Sequence, residues 1–207
     1  MIRSESEGET AENARLIVDQ TRALTHVVTE FLKFARPLDL SSEEVPLPAV
    51  VDRAITEIRE AIPGVAISSA GEFESISGDE ALLRQALLNL IRNAAEATAE
   101  QPFSGRVEVR GSLEHAVGGE VQRISITDNG PGVAESDLSK IFVPFYTTKT
   151  QGTGLGLAIV QKIVVQHGGS VEVRNQSHGG AEFIVWLPLI RQGTPRAGTV
   201  DSLAAGT

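Results

Sequence analysis

Apolar positions along this chain repeat with two periods, and each stretch announces a different element. Between Ala11 and Ala35, Ile17, Leu24, Val27, Phe31 and Phe34 step by seven, three, four and three, with Asn13 and Gln20 in the same register. Val28, Leu32 and Ala35 widen the stripe. This spacing predicts a heptad helix that packs on other helices and stops at Pro37. Residues 1–10 are polar and expected to fray. Leu38 to Pro48 reads as a linker or short strand. Helical spacing returns over Ala49–Ala61 through Val50, Val51, Ala54, Ile55 and Ile58, and Pro63-Gly64 ends it. Val65–Ser68 and Glu74–Ser77 have strand character. Ser77 and Glu80 together predict a capping box that opens a helix running to about Ala99. Arg106–Leu113 and Val121–Thr127 read as strands joined by a turn at Gly118-Gly119; Ser170–Asn175 and Ala181–Leu187 pair across a second Gly-Gly. Residues after Arg191 are rich in Gly, Thr, Ala and Pro and are expected to be disordered.

Composition narrows the classes of function. The 207 residues are 41% apolar, enough for one sizeable core and a helix or tail. No apolar run approaches a membrane span, and no leader pattern opens the chain. With no cysteine, disulfides and thiolate-bound zinc are excluded, which fits the cytosol. The net charge is −9 and there is no basic block, so nucleic acid is an unfavoured partner. An acidic protein that binds an anion needs local help from backbone N–H groups, one or two cations and a metal ion.

Two glycine clusters supply that help. Asp128-Asn129-Gly130-Pro131-Gly132 and Gly152-Thr153-Gly154-Leu155-Gly156 flank a segment holding Phe142, Phe145, Thr147, Thr148 and Lys149. Glycines concentrate where backbone must approach a ligand without Cβ atoms in the way. The second cluster runs straight into a helical pattern at Leu157, Ala158, Ile159, Val160, Ile163 and Val164. The N–H groups at such a helix start suit a triphosphate. The segment is therefore expected to fold as a lid over ATP, with Tyr146–Gln151 as its mobile part. In the helix around Leu83–Ala94, Asn89 and Asn93 lie four apart on the flank of the apolar arc. They are either ordinary polar residues bordering a core or amides serving a cleft, and an amide oxygen suits Mg²⁺. His26, on the first helix, lacks a flanking carboxylate motif and reads as an ordinary histidine.

In order, Asn89-Leu-Ile-Arg-Asn93-Ala, Asp128-Asn-Gly-Pro-Gly132, Phe142-Val-Pro-Phe145 with Thr147-Thr148-Lys149, and Gly152-Thr-Gly-Leu-Gly156 resemble the N box, first glycine box, F box and second glycine box of sensor histidine kinases. The resemblance covers Leu38 to about Leu189. Leu24 to Pro37 is similar to the second helix of that family's dimerisation and phosphotransfer hairpin. The implied fold is α+β: a two-layer sandwich of the histidine kinase and gyrase B type, its mixed sheet covered by helices on one face and preceded by a long helix. The implied organisation is a partial hairpin helix in residues 1–37, an ATP-binding domain in 38–190 and a tail in 191–207. The phospho-accepting histidine falls on a helix this chain lacks, and His26 does not match its motif.

The resemblance implies roles for particular residues. Asp128 accepts from the adenine amino group, and Gly130 and Gly132 let backbone approach the ring. Asn93 ligates Mg²⁺, and Asn89 supports it. Lys149 is a phosphate cation or a solvated lid lysine. Thr148, Gly152, Thr153, Gly154, Leu155 and Gly156 complete the nucleotide contacts, while Phe142 and Phe145 anchor the lid's root. Gyrase-type relatives carry Glu where this chain has Asn89, and an amide cannot activate water near neutral pH. The expected activity is transfer of the γ-phosphoryl to a hairpin histidine, then to an Asp of a response regulator, with dimerisation through residues 11–35. An ATP-hydrolysing relative, a non-catalytic binding module and an anti-sigma serine kinase are the alternatives. The expected setting is the cytoplasm, without nucleic acid and without a membrane segment, although a parent protein could be membrane-anchored.

Overall fold

The computed structural model describes residues 2–35, 40–99, 105–116, 118–149 and 152–189. The tail, Thr150, Gln151, Pro37 and the His26 side chain lie outside the described residues. The first helix, α1, spans Ile2–Ala35. It therefore includes the polar start that was expected to fray, where no proline interrupts the chain. Strand β1 (Glu43–Pro46) leads directly into α2 (Leu47–Ala61), which begins two residues earlier than expected because Pro48 is tolerated in a first helical turn.

Strand β2 (Ala66–Gly71) and β3 (Ser75–Gly78) follow, then α3 (Glu80–Ala99), β4 (Arg106–Ala116), β5 (Gly119–Asp128), α4 (Gly156–Gln166), β6 (Ser170–Asn175) and β7 (Ala181–Pro188). The main sheet has the order β2-β4-β5-β7-β6, with β2 parallel to β4 and the other pairs antiparallel. It is a mixed sheet in an α+β sandwich, as expected. Neighbours β2 and β3 do not pair with each other, since β3 joins β1 in a separate two-stranded ribbon.

One face of the main sheet carries Val107, Val109, Ile124, Ile126, Phe183, Val185 and Leu187, all buried beneath helices α2, α3 and α4. Alternation along each strand sends polar residues to the opposite face. There Glu182 is buried among hydrogen bonds from Arg123 (2.8 Å), Arg174 (2.6 Å) and Gln176 (2.8 Å). Burial alone would raise the Glu182 carboxyl, but the two arginines hold it below its usual value.

The capping box is a correction. Ser77 lies within β3 opposite Glu44, where its hydroxyl meets that of Ser42 at 2.7 Å. Asp79 caps α3 instead, its Oδ1 accepting from the Leu82 N–H at 3.0 Å. The strand register claims Ser77 first. His167, at the end of α4, locks this junction: its Nε2 accepts from the Asp79 N–H at 3.0 Å and its Nδ1 lies 2.8 Å from the Ile163 carbonyl. These two partners require the neutral Nδ1–H tautomer. Gly78 is small for the same reason, since a Cβ there would lie 2.5 Å from the His167 ring.

Candidate nucleotide site

The site forms where the C-terminal half of α3, the end of β5 and the start of α4 converge. Asp128 closes β5 with its carboxyl group buried on the core side. Its Oδ1 accepts from the N–H of Gly130 at 2.8 Å and of Ala181 at 3.2 Å. Among the described residues none bonds Oδ2 and no buried side-chain oxygen is left without a partner, so Oδ2 is open to solvent. Burial raises the Asp128 carboxyl above the usual carboxylate value despite the two backbone donors.

The turns around Asp128 are built for contact. Gly180 has φ +90°, and a Cβ there would collide with the Asp128 carbonyl oxygen. Gly132 has φ +78° and lies against Asn175, whose side chain accepts from the Val133 N–H at 2.8 Å and donates to the Val133 carbonyl at 2.7 Å. Gly130 packs on the Ala97 carbonyl of α3, 2.9 Å from where its Cβ would stand. Asn93 is one helical turn before Ala97, so the Gly130 turn and the Asn93 amide share one side of α3.

Asn89 and Asn93 are half-buried. Asn89 Nδ2 donates to the Gly156 carbonyl at 3.3 Å, tying α3 to the first residue of α4. With His167 and Asp79 at the far end, the helix pair is fastened at both ends. Asn93 Oδ1 faces the Lys149 ammonium at 3.5 Å, and the same ammonium lies 2.5 Å from Glu96.

The second glycine turn is held by Phe145. The Phe145 N–H donates to the Gly154 carbonyl at 2.9 Å, Gly154 has φ +66°, and any Cβ on it would strike the Phe145 backbone. Phe145 itself has φ +68°, a strained setting for a bulky residue. Phe142 packs against the core as an anchor. Phe145 differs from that expectation: it is exposed to solvent and stacks on Phe31 of α1, ring centroids 6.1 Å apart. Leu155 is fully buried, and its N–H donates to the Thr153 hydroxyl at 3.3 Å. Gly152 donates to the Lys149 carbonyl at 3.2 Å. The N–H groups of Gly156 and Leu157, in the first turn of α4, have no intrahelical acceptor. Thr148 and Lys149 are exposed.

The sequence pattern described as histidine kinase-, DNA gyrase B-, and HSP90-like ATPase matches residues 78–191. The chain belongs to this ATPase family. Sensor histidine kinase ZraS of Salmonella typhimurium is 35% identical over 192 residues, spanning 91% of this chain and 40% of that protein. The chain thus spans about two fifths of the length of the curated relatives it matches first. Among solved structures, histidine kinase ThkA in complex with response regulator TrrA aligns with a TM-score of 0.69 at 27% identity, covering 84% of this chain and 50% of that one. Full-length ShkA in complex with AMPPNP aligns with a TM-score of 0.68 at 33% identity, covering 80% and 35%. Within the family, this ATP-binding domain is of the sensor histidine kinase kind.

Four residues that hold these elements in place carried no signal in the sequence. Asn175 and Ala181 act from the β6–β7 hairpin, whose Gly-Gly turn registered only as a turn. His167 and Glu96 carry no local motif, although Glu96 follows Asn93 by three residues and so shares its face. No described helix is long and apolar enough to cross a membrane.

Proposed function

We propose that this domain holds Mg-ATP between Asp128 and the start of α4 and passes the γ-phosphoryl to a histidine of a hairpin helix supplied by another segment or chain. The observation that supports this reading is the Asp128 carboxylate: Oδ1 is fixed by two backbone donors, Oδ2 is left free of partners among the described residues, and the adjoining Gly130 packs on α3 at Ala97, one turn beyond Asn93. Oδ2 accepts the adenine amino group, and guanine would leave it opposite a carbonyl. Gly130 and Gly132 bring backbone to the ring. Lys149, Thr148 and the Gly152–Gly156 turn, with its Thr153, Gly154, Leu155 and Gly156 backbone, receive the phosphates.

The residues present fit magnesium. Asn93 Oδ1 already faces a cation, and hard oxygen donors completed by water and phosphate are what this ion takes. Bound there, Mg²⁺ would neutralise charge on the phosphates. Asn89 has a different task. Its amide hydrogen donates to Gly156, a bond that a carboxylate could not make, and it supplies no base for water. ATP is therefore kept for a nitrogen nucleophile. The acceptor imidazole forms the P–N bond as the bond to the bridging oxygen of ADP breaks, and the ring proton leaves to solvent.

In this reading residues 38–190 are the ATP-binding unit and residues 1–37 a hairpin helix, whose exposed Ile17 (66%) and Leu24 (65%) cover a second copy. The phosphoryl group then moves to a response-regulator aspartate, in the cytoplasm. The test mixes the chain with separate acceptor hairpins and γ-labelled ATP. Label on a hairpin histidine, with negligible phosphate release in its absence, is expected. Steady hydrolysis without acceptor, or no transfer to any hairpin, overturns the kinase reading.

A further inference from the structure

We propose that Glu96 makes nucleotide binding depend on a divalent cation, by setting a carboxylate where the phosphates arrive and requiring a cation to remain beside it. The proposal rests on the nucleotide reading above. Glu96 is three residues beyond Asn93 on α3, and both side chains converge on one ammonium, that of Lys149, at 2.5 Å and 3.5 Å. An amide oxygen and a carboxylate on adjacent turns form a slot selective for positive charge. Lys149 fills it from the lid.

Phosphates entering beside the glycine turn draw Lys149 toward themselves, since they carry more negative charge than one carboxylate. Glu96 would then face them unpaired. A divalent ion held by Asn93 Oδ1, with Glu96 bonding its water shell, removes the conflict and frees Lys149 for the phosphates. Without the ion, Lys149 can serve Glu96 or the phosphates but not both, and the charge left unpaired at Glu96 weakens nucleotide binding. The pair is about half exposed, with side chains 47% and 42% accessible, so solvent screens it and the exchange of partners is easy. A permanent lock would need a buried pair. This one is suited to be replaced.

The experiment compares the affinity of the whole chain for ATP in excess Mg²⁺ and in a chelator, by calorimetry, for the natural protein, Glu96→Gln and Glu96→Lys. The natural protein is expected to lose about tenfold or more in affinity without the metal, a size set by one unit charge near a polyanion. Glu96→Gln should shrink that ratio to about threefold or less, chiefly by tightening metal-free binding, and Glu96→Lys should bind metal-free ATP more tightly than the natural protein. An unchanged ratio in Glu96→Gln overturns the role of Glu96 while leaving the nucleotide site standing. Failure of the natural protein to bind ATP under both conditions overturns the site itself, and this inference with it. Glu96 is an exposed helix position, so both variants are expected to melt with the natural protein.

Discussion

The two ends of the proposed nucleotide site, the base end at Asp128 and the phosphate end at Lys149, are built differently. At the base end, Asp128 is 5% exposed, its Oδ1 takes two backbone donors, and Gly130, Gly132 and Gly180 are each pressed against a neighbour. At the phosphate end, Thr147, Thr148, Lys149 and Gly152 are exposed, and Lys149 is held by one screened ion pair and a long contact to Asn93. The base end is organised before a ligand comes. The phosphate end holds an exposed, screened pair whose charges are able to change partners. A base is an uncharged, rigid shape that rewards a fixed acceptor, whereas a triphosphate arrives with counter-ions and is better met by groups that can move.

The largest expected effect is at the fixed end. Asp128→Asn keeps a carbonyl oxygen for the Gly130 and Ala181 donors but turns an amide NH₂ toward the adenine amino group. ATP affinity should fall about a hundredfold, the cost of leaving a buried polar pair mismatched. Stability should move the other way. Because the folded protein holds this carboxyl above its ordinary value of 3.8, it binds the proton more tightly than the unfolded chain does. Its contribution is therefore fully present below that value and is lost as pH rises through the folded one. At neutral pH without nucleotide, the buried charge is a cost, and Asp128→Asn should melt at the same temperature or higher. A lower melting point together with unchanged affinity would remove Asp128 from the base site.

The fixed end was legible in part because its chemistry is written locally. Asp128, Gly130 and Gly132 sit within five residues, and the positive φ of Gly132 favours glycine there. Asn89 and Asn93 were visible through helical spacing. The rest depends on partners remote in the chain. Asn175 reaches Val133 across 42 residues, Lys149 reaches Glu96 across 53, and His167 reaches Asp79 across 88. No window of sequence holds both members of such a pair. Ser77 shows a different limit: its spacing to Glu80 satisfied a capping rule, but pairing with β1 overrode it.

His167 tests whether the scaffold beneath both ends matters. His167→Leu removes the acceptor for the half-buried Asp79 N–H and the partner of the buried Ile163 carbonyl. A loss of about 1–3 kcal/mol is expected in chemical denaturation. His167→Gln can still accept from Asp79 and should recover much of it. Asp79 adds a pH dependence of opposite sign to Asp128. Burial would raise its carboxyl, yet bonds from Leu82 and Ser41 hold it below 3.8, so its contribution is present above that value and is lost as pH falls through the folded one. Substituting Asp79→Asn should flatten the acid limb of the stability profile.

At the loose end, Lys149→Met should leave the melting point within about 0.5 kcal/mol of the natural protein, since the pair it breaks is exposed. Its effect belongs to the ligand. Affinity for Mg-ATP should fall about threefold to tenfold, with a weaker dependence on salt. A destabilised apo protein with unaltered nucleotide affinity would make Lys149 a structural residue and erase the contrast between the ends.

The smallest effect sharpens the comparison most finely, because it lies where the loose end meets α1. Phe31 stacks on Phe145, and Phe145 in turn carries the Gly154 carbonyl on its own N–H while holding φ +68°. A strained residue keeps its conformation only while its surroundings impose it. Nearby, Lys162 of α4 donates to the Phe34 carbonyl at 2.5 Å and lies over the Phe34 ring, 5.3 Å from its centroid, so α1 meets both Phe145 and α4. Phe31→Ala removes one of these contacts at an exposed position and should cost about 0.5–1 kcal/mol. The amide of Phe145 should exchange faster with solvent, while that of Gly130, at the base end, should not change. Equal acceleration at Gly130 would mean that the cleft responds as one body and that its two ends are not separately built.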